Sequence, residues 1–468
     1  MRLPAWDAQF QVPDVVGFAD FVQFGELLCA DLSDRCRSYV PDRLEIFPYP
    51  NGRKLRAMAV ARCPDLVMSR AAGGRIIRRT DALLSDRVLA ARLDPHGPSP
   101  WSFKDPWKAW ARFRDMPNEV ARDSPLAEAW VTDVASYFGS IDYHLLATQM
   151  HERRCDLDAV SLVMNFLTEW AKGGELHGLP VGPELSSVLG NAFLEPLDAA
   201  LVAEGVAHFR YMDDVVVIGE DLQEEQITAT VDRTLETLGL VRNVDKTHSY
   251  RAGMAAEALQ DMLLAYVDPR GEVASRRMEP GELRDLLGNE VEEAIPNPKR
   301  VRFALRGLRD GTAIPHLVEH QRLLNSSPRE TGAYMGTHGM RNQEARDALM
   351  EAVANPGDDN AAMRLHSLRA CQGASWGRSE GEVFMSIATS RNERSPVRAH
   401  AWHAARRSPS WRADVAMEAA DQERHPVVRR SIVLTLRCAG PTRSKVALMK
   451  EMAKDPHVQY AARWASIA

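Results

Sequence analysis

No apolar run in the chain approaches the ~20 residues that cross a bilayer, and the stretch from Met1 to Phe10 lacks the basic-then-apolar layout of a secretory leader. The expectation is a cytoplasmic protein without a membrane partner. Its six cysteines (Cys29, Cys36, Cys63, Cys155, Cys371 and Cys438) are scattered and form no C-x-x-C, which leaves no zinc ribbon or disulfide framework to propose. Cys/His and H-N-H nuclease patterns are missing too. Nor is there a net basic excess: 58 Lys/Arg stand against 64 Asp/Glu, a formal charge of −6 that argues weakly against nucleic-acid binding. That average conceals a partition. Arg53 to Arg79 carries eight Lys/Arg and one acid, Asp65, and Ile387 to the end carries fifteen against seven, while the acidic excess lies around Glu195 to Asp245. Basic flanks beside an acidic centre suit a metal site working on phosphates, and suit ordinary solvated surfaces equally.

What is present is a globular composition, 45% hydrophobic and 26% charged, on a chain of 468 residues that is long enough for two or three domains. Its centre is Ala207 to Gly219, AHFRYMDDVVVIG. Val215 to Ile218 are β-branched and read as a buried strand, and His208 and Phe209 alternate ahead of them. The pattern predicts a hairpin with Asp213 and Asp214 at its tip. An isolated Asp-Asp pair is most often a plain turn. A turn, however, is served as well by Asn or Gly, whereas paired carboxylates are what a divalent cation needs. Upstream, AWVTDVASYF reads as a strand ending in Asp133, and burying an acid there unpaired is costly. Asp133 is the natural third carboxylate.

The remaining segments are arranged around that centre. Residues 1–45 read as helical, with Phe18, Phe21, Val22, Leu27 and Leu28 to one side. The Pro/Gly turn through Pro48, Pro50 and Gly52 leads into a strand from Leu55 to Val60 with arginines around it, a placement that can hold a triphosphate by charge-assisted hydrogen bonds. A Pro/Trp-rich insertion covers Asp94 to Trp110, and residues 158–171 form an amphipathic core helix. The Gly178–Ser187 turn, GLPVGPELSS, lets backbone approach a flat ligand and leads into a long helix that Ser186 or Ser187 helps to start. Glu224 to Leu238 is a helix closed by Gly239, Leu240 to Thr247 is extended, and Met262 to Val273 is a small hairpin turning at Pro269-Arg270-Gly271.

Taken in order, these segments resemble the fingers and palm of a reverse transcriptase over about residues 45–275. Asp133 with Tyr137-Phe138 is similar to the first palm motif, GLPVGPELSSVLGNAFLEPLD to the second, Tyr211-Met212-Asp213-Asp214 to the third and GLVRNVDKT to the fourth. The resemblance implies an α+β right-hand polymerase, with an antiparallel palm sheet packed on helices. It also implies two Mg²⁺ ions, with Mn²⁺ as a substitute, held by Asp133, Asp213 and the Val134 carbonyl with Asp214 assisting. One ion activates a primer hydroxyl and the other neutralises the triphosphate. Phe138 matches the steric gate that rejects a ribose 2′-hydroxyl. Arg56, with Arg53 or Lys54, binds the β- and γ-phosphates, and Tyr137, Gly182, Pro183 and Met212 complete the dNTP site. Lys246 matches the lysine that protonates pyrophosphate, against the plainer reading of a surface lysine. Two departures stand out: Val181 replaces a common Gln, and Tyr49 replaces a common fingers Lys.

The second half reads as helical. Ser395-Pro396-Val397-Arg398, His425-Pro426-Val427-Val428-Arg429 and Asp455-Pro456-His457-Val458 recur thirty residues apart, each ahead of an apolar helix. This resembles HEAT-like repeats exposing a concave, basic face. The expected organisation is residues 1–120 as N-terminal helices and fingers, 121–280 as palm, and 281–468 as an all-α repeat domain in place of a thumb. A palm joined to helical repeats is similar to bacterial abortive-infection and antiphage-defence reverse transcriptases. That resemblance implies untemplated or protein-primed DNA synthesis, RNA or DNA partners and a homo-oligomer. Tyr334 and Tyr460 are the candidate protein primers. The alternatives are a retron-type polymerase copying a dedicated non-coding RNA, and an idle RNA-binding scaffold.

Overall fold

A computed structural model describes residues 12–51, 54–97, 102–172, 177–255, 259, 279–355 and 360–467. The anticipated hairpin at 262–273 lies outside them. The fold is α+β, with antiparallel sheets followed by a helical region. Its contacts divide the chain into two units, Asp34–Ile46 with Ala59–Arg270, and Met1–Ser33 with Phe47–Met58 and Gly271–Ala468.

The first of these units is built on a four-stranded antiparallel sheet of order β4-β5-β3-β6, from β3 (Ala127–Thr132), β4 (Ala207–Tyr211), β5 (Asp214–Glu220) and β6 (His248–Tyr250). Val215 to Ile218 are fully buried because both faces of β5 are covered. Val216, Ile218, Phe209, Ala129 and Val131 point to one core with Trp110 and Phe113 of the helix Pro106–Asp123. The alternate residues belong to the other face, where the helix Glu195–Ala203 contacts β4 and the helix Glu224–Thr237. The exposed side of β4 is closed by a parallel bridge from Val88 to Arg210, which protects an edge strand. The helix Cys63–Thr80 packs on Leu157–Ala171 and Glu184–Phe193, and Gly73 makes room for Leu185.

The segment read as one helix behind the Gly182 turn is two helices. Glu184–Phe193 starts with Pro183 at its N-cap, so neither Ser186 nor Ser187 starts it. The chain then breaks at Leu194 and restarts as Glu195–Ala203, because Pro196 suits a first turn and cannot continue a helix interior.

In the other unit Phe47 and Tyr49 are buried, on the part of the β1 (Glu45–Asn51) and β2 (Lys54–Val60) hairpin that belongs to it. Tyr49 meets His366 edge-on at 5.9 Å. The helical region pairs Gln343–Ala354 with Ala361–Cys371, Arg378–Thr389 with Ser395–Ala405, Ala413–Gln422 with Pro426–Thr435, and Arg443–Met452 with Gln459–Ser466. One arginine recurs along it. Arg364 Nε donates to the Val353 carbonyl (2.8 Å), and its guanidinium pairs with Glu393. Arg398 does the same with Ala388 (3.2 Å) and Glu423, and Arg429 with Ala420 (2.9 Å) and Asp455 (2.6 Å). The last helix starts at Gln459, three residues past Pro456.

The anticipated basic face is partly used internally. Arg430 is buried between Asp14 and Asp20, under Phe21, and His400 Nε2 lies 3.0 Å from the Pro13 carbonyl. Residues of the N-terminal segment thus pack on these helices as part of the same unit.

Candidate active site

The turn joining β4 to β5 has two residues, Met212 and Asp213, between the paired Tyr211 and Asp214. Such tight hairpins require positive φ, and Met212 supplies it at φ 57°, a conformation that costs a non-glycine residue about 1–3 kcal/mol. Asp213 and Asp214 are half-buried at this tip. Thr132 pairs with Val215 across β3 and β5, so the next residue, Asp133, falls beside Asp214 by register. The three acids lie at one end of the sheet.

Asp133 is buried, and the neighbouring segment holds it by backbone. Its carbonyl accepts from Asn243 N–H (2.9 Å), and Ala135 N–H donates to Val241 (2.8 Å). Neither bond uses the Val134 carbonyl. Thr132 and Thr247 share a hydroxyl hydrogen bond of 2.8 Å, and Arg242, itself paired with Asp232, donates to Thr247. These contacts fix the short helical turn Val244–Lys246, where an extended segment was anticipated, and bring Lys246 onto Asp133 Oδ2. Burial works to lower the Lys246 ammonium pKa. The hydrogen bond and charge of Asp133, then the charges of Asp214 and Asp213, outweigh it and raise the pKa.

Among the described residues, no three Asp, Glu, His or Cys side chains stand close enough to hold a metal ion as they lie. The donor set nonetheless suits a hard divalent cation, since it is carboxylate oxygen throughout. Asp133 Oδ1 is buried without a hydrogen-bond partner, which is costly unless something cationic meets it.

Of the other anticipated residues, Phe138 is half-buried and its ring lies 5.3 Å from that of Tyr137. Tyr137 differs from the expectation. It is buried, and its hydroxyl donates to the Gly190 carbonyl, so it forms the wall behind Phe138 rather than a nucleotide contact. Burial pushes that hydroxyl's pKa up. Gly190 leaves room here, since a Cβ would stand a tight 3.2 Å from both rings. Gly182 is exposed at φ 134°, and a Cβ there would be 2.9 Å from the Ala59 carbonyl oxygen. Ala59 N–H donates to Val181 (2.8 Å), so β2 and this turn meet backbone to backbone. Pro183 is buried as the cap of the next helix. Arg56 is exposed on β2, while Arg53 and the Lys54 side chain lie outside the described residues.

Tyr334 and Tyr460 do not suit the primer role. Both are buried: the Tyr334 hydroxyl accepts from Ala313 N–H (3.3 Å), and the Tyr460 hydroxyl donates to Asp31. Residues that sequence reasoning missed are Arg210, Asp198 and Asn191, which lie directly behind the turn. An arginine in a buried strand and an aspartate in an apolar helix were the signal, since neither is buried unpaired.

No curated protein sequence matches this chain. Among solved structures it is similar to the telomerase of Candida albicans, solved with a fragment of telomeric RNA. That match has 14% identity and a TM-score of 0.34, and it covers 77% of this chain and 66% of that one, just under two thirds of its length. Residues 81–280 match the family described as reverse transcriptase (RNA-dependent DNA polymerase), a span that takes in β3 to β6, the acidic turn and Lys246. Over these residues, fewer than half of the chain, the protein is similar to that family.

Proposed function

We propose that the protein is a DNA polymerase that adds deoxynucleotides to a hydroxyl end by two-metal phosphoryl transfer. The observation carrying this reading is the strand register that sets Asp133 beside Asp214, with a partnerless buried oxygen on Asp133 and Lys246 bonded to its other oxygen. Asp133, Asp213, Asp214 and the Val134 carbonyl would hold two Mg²⁺ or Mn²⁺ ions. When bound, such ions lower the pKa of the attacking hydroxyl and neutralise the triphosphate. The chain's own residues do the rest. Phe138, braced by Tyr137, excludes a 2′-hydroxyl. Arg56 binds the outer phosphates, and Gly182 faces the base, with Pro183 capping the helix behind it. Lys246 Nζ, held protonated by its acidic neighbours, delivers a proton to the departing pyrophosphate.

The helix pairs after residue 342 serve as a HEAT-like array in place of a thumb, which suits a cytoplasmic antiphage-defence enzyme working as a homo-oligomer with RNA or DNA. The test is to incubate purified protein with each labelled dNTP and Mg²⁺ and follow incorporation. Asp213→Asn/Asp214→Asn should abolish it, and no incorporation with any primer or template would overturn the reading. Co-purifying nucleic acid separates the modes of synthesis, since a defined RNA means templated copying and DNA linked to protein means self-priming.

A further inference from the structure

Arg210 lies on β4, two residues before the left-handed Met212, with a side chain that is fully buried. All of its nitrogens beyond the backbone are engaged. Nε and Nη2 hold Asp198 as a bidentate pair (2.8 and 2.6 Å). Nη1 donates to the Asn191 side chain (2.8 Å) and to the Met212 carbonyl (2.9 Å), and Nη2 also reaches the Asn191 carbonyl (3.2 Å). Asn191 in turn donates to the Ala90 carbonyl (2.8 Å), and His208 Nε2 stands 3.3 Å from Asp198. The backbone of Arg210 is fixed as well, since its N–H donates to Arg87 and its carbonyl accepts from Leu89.

A buried charge is retained at a cost that hydrophobic packing would avoid, so its connections call for a reason. One of them is particular: the Met212 carbonyl belongs to the residue whose backbone is strained, and it immediately precedes Asp213. A flat guanidinium spans Asp198, Asn191 and Met212 at once, whereas an ammonium cannot. We propose that Arg210 is the positioning residue of the acidic turn. By gripping the Met212 carbonyl from a rigid base on two helices, it holds Met212 at positive φ and so aims Asp213 and Asp214 at Asp133. This rests on the polymerase reading for its chemical consequence, but not for its geometry.

The test uses the full-length chain. Arg210→Gln/Asp198→Asn keeps the buried cluster polar and its net charge unchanged. Once circular dichroism shows the variant folded, Mn²⁺ binding is measured by electron paramagnetic resonance without nucleotide. The dissociation constant should rise about 10–100-fold. kcat for dNTP addition should fall about 10²-fold with KM nearly unchanged, as misplacing reacting groups does. Adding Met212→Gly removes the conformational cost at that position and should recover much of the Mn²⁺ affinity, a rescue that a merely structural Arg210 does not give. If the double variant fails to fold, Arg210→Lys replaces it, with the same loss and the same rescue expected. Unchanged Mn²⁺ affinity in a folded variant, or no rescue by glycine, overturns the proposal. Should the wild-type protein bind Mn²⁺ yet add no nucleotide, the polymerase reading falls while the Mn²⁺ comparison still decides the role of Arg210.

Discussion

The Lys246 ammonium bonds one oxygen of Asp133 and leaves the other, buried Oδ1, without a partner. Asp133 is thereby half neutralised by a side chain that is itself more than half exposed and able to move away. Lys246→Ala should accordingly separate two properties. The metal-free protein should melt earlier in EDTA near neutral pH, and its Mn²⁺ affinity should tighten, because a competing cation is gone. Turnover should nevertheless drop by ~10²–10⁴-fold for want of the proton donor. Calorimetry, Mn²⁺ titration and single-nucleotide kinetics check the three effects. Unaltered turnover would make Lys246 a surface counter-ion only.

Phe138 should set sugar selectivity. Truncation in Phe138→Ala opens the space that a 2′-hydroxyl would occupy, and ribonucleotide incorporation relative to deoxynucleotide should rise by roughly 10²-fold. Gly190→Ala acts on the same ring from behind, where its Cβ would press on Tyr137 and Phe138 at 3.2 Å, and should raise KM for dNTP. Competition between rATP and dATP on one primer reads both effects.

Asp65 makes the fold pH-dependent. Tyr39 donates to its Oδ1 (2.7 Å), while Oδ2 is buried with no partner. Burial pushes the carboxyl up to about 7, although the Tyr39 hydrogen bond works the other way. The folded value lies above the unfolded 3.8, so the folded protein binds the proton more tightly. This contribution to stability is complete below pH 4 and is lost as pH rises through 7. Asp65→Asn should be more stable than wild type at pH 8 and should flatten the change between pH 4 and 7. Urea midpoints across that range would show it, and parallel curves for the two proteins would refute it.

Docking of the N-terminal segment should show the opposite pH sense. His400 accepts from Gln372 at Nδ1 (2.7 Å) and donates from Nε2 to Pro13 (3.0 Å), which requires the neutral ring. Burial lowers its pKa to about 4, the Pro13 hydrogen bond opposing. The folded value lies below the unfolded 6.5, so the stabilisation is present above pH 6.5 and lost as pH falls toward 4. Proteolysis within residues 12–33 should quicken over that interval. Arg430→Met, which strands Asp14 and Asp20 in the interior, should cost about 3–5 kcal/mol. Arg430→Met/Asp14→Asn/Asp20→Asn should recover most of it.

The hairpin and its acids were legible because Val215 to Ile218 can hardly be anything but a buried strand, and because Asp133 had no cheap reason to end another. The helix break at Leu194 was also marked, by Pro196, but an apolar run continuing across it reads as one helix. Arg364 escaped notice because its helix is capped by Asn360 instead of opened by proline. The burial of Tyr460 could not be foreseen, since its partner Asp31 lies 429 residues away in sequence. Long-range partners of polar side chains leave no local pattern. For the same reason Arg210 looked like one basic residue among many.

The recurring arginines of the helical region have a consequence for how such an array lengthens. Arg364, Arg398 and Arg429 each reach back to the end of the preceding helix and forward to the acid in the turn within the next pair. The two middle pairs therefore bring a donor for their successor and an acceptor for their predecessor, like couplings on railway carriages. A tandem duplication of one whole pair leaves every charge matched. An insertion or deletion out of phase strands an arginine and an acid together. Within those limits, nothing in a pair dictates how many pairs there are.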